Sequence, residues 1–435
     1  MKKGNPIALL PIGVFLFFYL GFGLLFEYGL GIAMGFYNVP IIIAFLAAIL
    51  VACLQNPKVK FEDKLEIMGR GVGDKNIITM LLIFLVAGAF VGVVGRSSAQ
   101  SVAYFMLKLI PARFSVAVLF VVACFVSLAM GTSVGTITLI TPIAIEVAQA
   151  TGFNPALCVG TVVGGAMFGD NLSFISDTTI AACNGQGCNM KDKFYGNFLI
   201  ALPAAVLTLC AVILLTASKE VSPVIGEYNL LQIVPYLLVL AGGIAGINVF
   251  VVLIIGILSG ATIMLSTNSI QFVDLLANMG TGSSGMFETA MVAVLVAALC
   301  ALIRNHGGFD ALLYGIHKVF KGNKGGQLGM GLLVGTMDIA TANNTVAIVM
   351  ANPIAKEMSN EYGITPQRSA CILDTVSCVF QGIIPYGAQM LVAISAAKEL
   401  GFTMSAFDIM QYLFYPYLLL LTCLVSIFLF SSKKK

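Results

Sequence analysis

Pro142-Ile-Ala-Ile-Glu146, followed by Gly152 and Pro155, recurs as Pro353-Ile-Ala-Lys-Glu357, followed by Gly363 and Pro366. The spacing is identical and the offset is a constant 211 residues. Agreement of this many residue types at one offset marks an internal repeat. It divides the chain into two halves, residues 1–220 and 221–435.

Both copies lie in apolar surroundings. The chain has 435 residues, 59% of them hydrophobic and 10% charged. Soluble domains carry roughly 25% charged residues, so too few are present to cover a water-facing surface. The apolar residues form runs such as Phe198–Ala217, Tyr228–Leu265 and Ile409–Phe430, each free of charge. A membrane-crossing helix needs about 20 such residues. Backbone groups in lipid must bond internally, and no period-2 barrel pattern occurs, so the spans are helices. Met1-Lys-Lys and the run Pro6–Phe26 lack an A-x-A cleavage pattern and read as a retained first helix. The ten cysteines lie mostly in apolar segments and read as small buried hydrophobes. A net charge of +3 is far too small for nucleic-acid binding.

Basic residues cluster at Lys2–Lys3, Lys58 to Lys75, Lys191–Lys193, Arg304 to Lys324 and Lys433–Lys435, which hold 16 of the 23. With all five clusters on the cytoplasmic side, the helix count closes with both termini inside. In this scheme helices at about 197–217, 229–246 and 248–265 end outside, at an Asn268–Ser284 loop. A helix at about Met286–Ile303 then returns. The first copy of the repeat enters from outside and the second from inside, so the halves have inverted topology. That arrangement is typical of alternating-access transporters, whose substrate binds near the midplane where the repeats meet.

Polar stretches interrupt the apolar helices. Ala129-Met-Gly-Thr-Ser-Val-Gly-Thr136 and its partner Ala340-Thr-Ala-Asn-Asn-Thr345 are poor continuous helix. Glycine frees the backbone, and hydroxyls and amides compete for it. Both read as breaks in discontinuous helices, which bare carbonyls for a cation and helix N-termini for an anion. Thr132, Ser133, Asn343, Asn344 and Thr345 are the candidate ligands there. Phe168-Gly-Asp-Asn-Leu-Ser-Phe-Ile-Ser-Asp-Thr-Thr179 places Asp170 and Asp177 seven residues apart, about two helical turns. They stand beside Asn171, Ser173, Ser176 and Thr178. The intervening Ser-Phe-Ile-Ser also suggests a re-entrant turn. A carboxylate at membrane depth costs at least about 2.5 kcal/mol, tolerable when it binds a cation or a proton. Two neighbouring carboxylates also titrate as a coupled pair. The glycines 160, 164, 165 and 169 read as a close-packed helix face.

The matching segment of the second half is Asp374-Thr-Val-Ser-Cys-Val-Phe-Gln-Gly-Ile-Ile-Pro-Tyr-Gly-Ala-Gln389. Gln381 occupies the place of Asp170 and Gln389 that of Thr178. The charge has moved to Asp374, and Ser377 and Gln381 follow at helical spacing. Pro385 falls opposite Phe174 and supports a hairpin in both halves. Asp338 is a further ionisable candidate. His306 and His317 fall in a basic loop and read as solvated.

At this point the residues match a family. Ser127–Thr136 and Gly169–Thr179 resemble the NhaC-type sodium/proton antiporters of the ion transporter superfamily. The family pattern is G-D-x-L-S-P-x-S-D-T-T, and Gly169, Asp170, Leu172, Ser173, Ser176, Asp177, Thr178 and Thr179 fit it. Phe174 replaces the usual proline, and Val134 stands where Trp is common. The similarity runs from about Ile77 to Gly401. It implies sodium and proton exchange, while relatives carry organic acids or amino acids with sodium.

Three functional classes follow. The leading one is a Na+/H+ antiporter of the inner membrane, in which Asp170 and Asp177 bind Na+ and H+ in competition. Thr132, Ser133 and Ser173 would add oxygens, and Asn343, Asn344 and Asp374 would complete the site. The second is a Na+-coupled carrier of a small organic solute, favoured by the amides of Asn343, Asn344, Gln381 and Gln389. The third is a passive channel or scaffold. No H-E-x-x-H, G-x-S-x-G or nucleotide loop occurs in a suitable context, so no enzyme and no cofactor is expected, with Na+ as transported or coupling ion. Lipid is the expected partner, and the composition is compatible with a homo-oligomer.

Overall fold

The computed structural model describes residues 4–32, 38–173, 176–217, 223–245 and 247–429. The charge clusters Lys2–Lys3 and Lys433–Lys435, and Phe174, lie outside the described residues.

These residues form helices and no strands. In order they are α1 (Leu10–Leu16) and α2 (Phe22–Leu24), joined by π-helical turns, then α3 (Ile41–Leu54), α4 (Phe61–Val72) and α5 (Lys75–Leu109). Next come α6 (Ser115–Met130), α7 (Ser133–Thr151), α8 (Pro155–Leu172), α9 (Asp177–Gln186) and α10 (Met190–Ala217). Then follow α11 (Leu230–Ile244), α12 (Val249–Ser266), α13 (Phe272–Gly285), α14 (Phe287–Asn305) and α15 (Gly308–Val319). The last are α16 (Gly322–Thr341), α17 (Asn344–Glu361), α18 (Pro366–Ile383), α19 (Ala388–Glu399), α20 (Ala406–Met410) and α21 (Phe414–Leu429). Among the described residues seven helical stretches are long and apolar enough to cross a membrane, or eight with one bent pair counted as a span.

The molecule is inside-out relative to a water-soluble protein. Leu199, Leu214, Leu258 and Phe428 are exposed on the outer helices, while Asp170, Asp338, Asp374 and Lys193 are buried. Lipid accounts for the first set, since apolar surface of this extent does not face water. This is a multi-pass membrane protein.

Helix starts recur at the 211-residue offset seen in the sequence: Ser133 and Asn344, Pro155 and Pro366, Asp177 and Ala388. The packing pattern recurs with them. α6 packs on α8 as α16 packs on α18, and α9 lies against α17 as α19 lies against α7. The second pairing carries a helix of each half into the other. It is held by Gln186 Nε2 donating to Asn352 Oδ1 at 2.9 Å and Asn352 Nδ2 donating to the Ala181 carbonyl at 2.9 Å.

Three sequence expectations need correction. The Asn268–Ser284 loop is mostly α13, a helix packed against α5. Its Gly282 meets Gly88 so closely that a Cβ there would lie 2.1 Å from the Gly88 carbonyl oxygen. Small residues let the two backbones touch at Gly282, and Ser283 Oγ donates to the Leu85 carbonyl at 2.9 Å, while Thr281 and Ser284 are exposed. The re-entrant turns expected between α8 and α9 and near Pro385 fall within longer helical stretches, Pro155–Gln186 and Pro366–Glu399, with residues 174 and 175 outside the described ones. The sharp bend lies elsewhere: the helices Ser97–Leu109 and Ala112–Leu128 meet at 117° across Pro111. Finally, Lys193 does not belong to a cytoplasmic loop. It is in the first turn of α10 and 1% exposed.

Candidate ion-binding site

Four helix breaks converge at the centre of the molecule, and local chemistry makes each of them. Gly131 ends α6 in the left-handed conformation at φ +66°, where its amide bonds the Ser127 carbonyl. Thr132 then caps α7 in extended conformation, its Oγ1 accepting from the Gly135 amide at 3.4 Å. The other half repeats this with different residues. Ala342 is left-handed at φ +46°, and Asn343 caps α17, its Oδ1 accepting from the Val346 amide at 3.0 Å. Thr and Asn side chains at such caps replace backbone partners that the break removes. The remaining two breaks follow Leu172 and Ile383.

One hydrogen-bonded chain links all four. Asp170, at the end of α8, accepts from Ser133 Oγ at 2.8 Å and from Ser176 Oγ at 2.5 Å. Ser176 in turn lies 2.9 Å from Thr178 Oγ1. Ser133 accepts from Gln389 Nε2 at 3.0 Å. Gln389 Oε1 accepts from Gln381 Nε2 at 2.8 Å, and the same Gln381 nitrogen reaches the Ala342 carbonyl at 2.9 Å. Asp170 thereby senses the geometry of both halves.

A second cluster adjoins the first through Asn171, the neighbour of Asp170. Lys193 Nζ is ion-paired to Asp374 Oδ2 and donates to Thr179 Oγ1 and to the Asn171 carbonyl, both at 2.7 Å. Asn197, one turn further along α10, donates from Nδ2 to Asn171 Oδ1 at 2.6 Å. Thr375 donates to Asn197 Oδ1 at 3.2 Å. A third acid, Asp338 on α16, accepts from Ser377 Oγ at 3.2 Å. Ser377 Oγ also lies 3.4 Å from the Asn344 carbonyl. The centre therefore holds three buried carboxylates and, among the described residues there, one buried ammonium.

The structure thus gathers Ser133, Asp170, Asn171, Ser176, Thr178, Asn344, Asp374, Ser377 and Gln381. Ser173 is buried at the end of α8. Thr132 and Asn343 serve the breaks as caps, and Thr345 contributes its amide to Asn344 Oδ1 at 3.1 Å. Asp177 is the exception. Its side chain is exposed at the N-terminus of α9, where a carboxylate complements the positive helix end. The break after Leu172 resets the helical phase, so seven residues no longer span two turns of one face. The carboxylate tied to the surroundings of Asp170 is instead Asp374. Sequence reasoning missed Lys193 and Asn197. Their i, i+4 spacing was the available signal, since it places both on one face of α10. Of the histidines expected in solvent, His306 is half-buried, and burial followed by the nearby Lys64 pushes its pKa down; the side chain of His317 lies outside the described residues.

A polytopic helical membrane protein with broken helices and a buried ionisable centre is the class this architecture defines. The comparisons with known proteins narrow it. The sequence profile of the Na+/H+ antiporter family matches residues 4–219 and again residues 209–433, and the chain belongs to that family. It is 22% identical to the Na(+)/H(+) antiporter NhaC of Alkalihalophilus pseudofirmus, over 82% of each chain. It is 23% identical to an uncharacterized Na(+)/H(+) antiporter of Haemophilus influenzae, over 71% of this chain and 74% of that one. A malate-2H(+)/Na(+)-lactate antiporter of Bacillus subtilis is 27% identical over 40% of this chain and 37% of its own. Among solved structures, the YdaH transporter of Alcanivorax borkumensis aligns at a TM-score of 0.42 and 16% identity, covering 81% of this chain and 86% of that one.

Proposed function

We propose that this protein exchanges Na+ for H+ across the inner membrane by alternating access, with Asp170 as the carboxylate for which the two ions compete. The observation that carries the reading is the chain from Asp170 through Ser133, Gln389 and Gln381 to the Ala342 carbonyl. It couples the charge on one carboxylate to the breaks of both halves. Ionised, Asp170 accepts from two hydroxyls and retains lone pairs for a bare Na+, which takes oxygen ligands. Protonated, it is neutral and releases the ion. Exchange requires only that the site switch sides when loaded with one ion or the other. The Lys193–Asp374 pair fixes Asn171 beside it and neutralises one of the remaining acids.

The halves 1–220 and 221–435 are read as inverted repeats with both termini cytoplasmic. The two separate matches to the family profile and the recurrence of helix starts at one offset support this reading. The organic-solute alternative draws on the malate-2H(+)/Na(+)-lactate antiporter. Against it, Gln381 and Gln389, the amides that would greet a carboxylate, donate to protein acceptors.

The test uses purified protein in liposomes with an acidic lumen and an enclosed pH dye. External NaCl should drive proton efflux that KCl does not, and Asp170→Asn should abolish it while eluting as a monodisperse protein. Proton movement indifferent to Na+ would end the antiporter reading and call for a screen of carboxylates and amino acids.

A further inference from the structure

Asp338 lies one turn before the end of α16 and is completely buried. Its Oδ1 accepts from Ser377, but its Oδ2 has no hydrogen-bond partner. Gln381, one turn beyond Ser377 on α18, spends Nε2 on Ala342 and Gln389 and leaves Oε1 without a partner, at 1% exposure. Two acceptor oxygens thus go unsatisfied at the same break, and buried acceptors rarely do. The position makes this worse for Asp338. The C-terminal turn of a helix is its negative end, so a carboxylate there needs a compensating cation. Lys193, the buried ammonium of the centre, is engaged by Asp374.

The two halves divide the same oxygen chemistry differently. At the 211-residue offset Asp338 corresponds to Ser127, whose hydroxyl donates to the Ala166 carbonyl at 2.6 Å. Gln381 corresponds to Asp170. Each half therefore brings one carboxylate to its break, from α8 in the first and from α16 in the second. A cleft also leads to this second break. Its lining includes Arg70, Asp74 and Arg304 as well as Thr341, Asn343 and Val346 of the break.

We propose that Asp338 holds a second Na+, bound by its Oδ2 together with Gln381 Oε1 and Ser377 Oγ, and distinct from the ion at Asp170. A single carboxylate among neutral oxygens suits a monovalent cation, whereas divalent ions are held by more charge or more ligands. This inference rests on the antiporter reading for the first ion but not for the second.

Equilibrium binding of radioactive Na+ to the purified full chain, at alkaline pH where protons compete least, tests it. The wild type should bind two Na+ per chain, Asp338→Asn one, Asp170→Asn one, and the double variant none. Ser377→Ala should keep both ions but hold one roughly tenfold more weakly, the worth of one hydrogen bond to a charged site. A wild type that binds one ion which Asp338→Asn still binds, or any Asp338→Asn variant that binds as many as the wild type, overturns the proposal and would make Asp338 a proton carrier only. Loss of one ion in Asp338→Asn with none lost in Asp170→Asn would instead uphold this site and sink the Asp170 reading. Should Asp338→Asn fail to elute as a monodisperse protein, Ser377→Ala decides, and unchanged affinity at both sites counts against the second ion.

Discussion

Lys193 and Asp374 show what a single side chain decides in this protein. Removing one member of a buried ion pair strands the other charge, at a cost of about 3–5 kcal/mol, whereas removing both is far milder. Lys193→Gln should therefore unfold at a markedly lower temperature than the wild type, and Lys193→Gln combined with Asp374→Asn should recover most of the loss in a thermal-shift measurement. Ser133 and Ser176 each donate to Asp170, and such hydrogen bonds are worth roughly 1.5–3 kcal/mol. Ser133→Ala should raise the Na+ concentration for half-maximal exchange about tenfold or more, with little change at saturating Na+. Asp170, the serines and the second-half amides were legible in the sequence because polar residues inside apolar runs stand out. Lys193 was not, because its burial depends on an acid 181 positions away, and a lysine beside Lys191 reads as a loop cation until that contact is known.

The helices show which breaks are built and which are tolerated. Gly131 adopts positive φ without penalty, while Ala342 holds the same conformation at about 1–2 kcal/mol of strain. Gly131→Ala should lower thermal stability and Ala342→Gly should raise it, an ordering that a melting series on the three proteins checks directly. The glycine face of α8 was readable from spacing, and the structure gives its purpose. A Cβ on Gly169 would lie 2.4 Å from the Leu128 amide nitrogen, so α6 and α8 cross here with backbones in contact. Gly169→Val should push α6 away and shift Asp170, abolishing exchange and destabilising the fold together. The α9 start could not be phased from sequence, since an unwound segment has no fixed periodicity. The same limit misplaced Asp177. Glu146 and Glu357 carry a further lesson: the repeat preserves the letter, yet the first is buried and the second exposed.

For the molecule as a whole, the proposed sharing of Asp170 by the two ions would fix how transport responds to pH. If Na+ and H+ exclude each other there, each pH unit below the titration of the site should raise the half-saturating Na+ concentration about tenfold, one proton displaced per ion. Dye-loaded liposomes assayed over a pH series would show parallel shifts without loss of maximal rate. The helical, membrane-crossing character of the chain was plain from composition alone, because lipid allows few solutions. The exchange of α9 and α19 between halves was invisible, since apolar periodicity says which face is buried but not what buries it.

That exchange sets a timetable for biogenesis. Gln186 and Asn352 are separated by 166 positions, so at ribosomal speeds of about 5–20 residues per second α9 waits roughly 8 to 30 seconds for α17 to emerge. During that interval its amide faces lipid or the insertion machinery with nothing to bond. The first half therefore enters the bilayer as an unfinished object, and its assembly is vulnerable to any delay in synthesising the second.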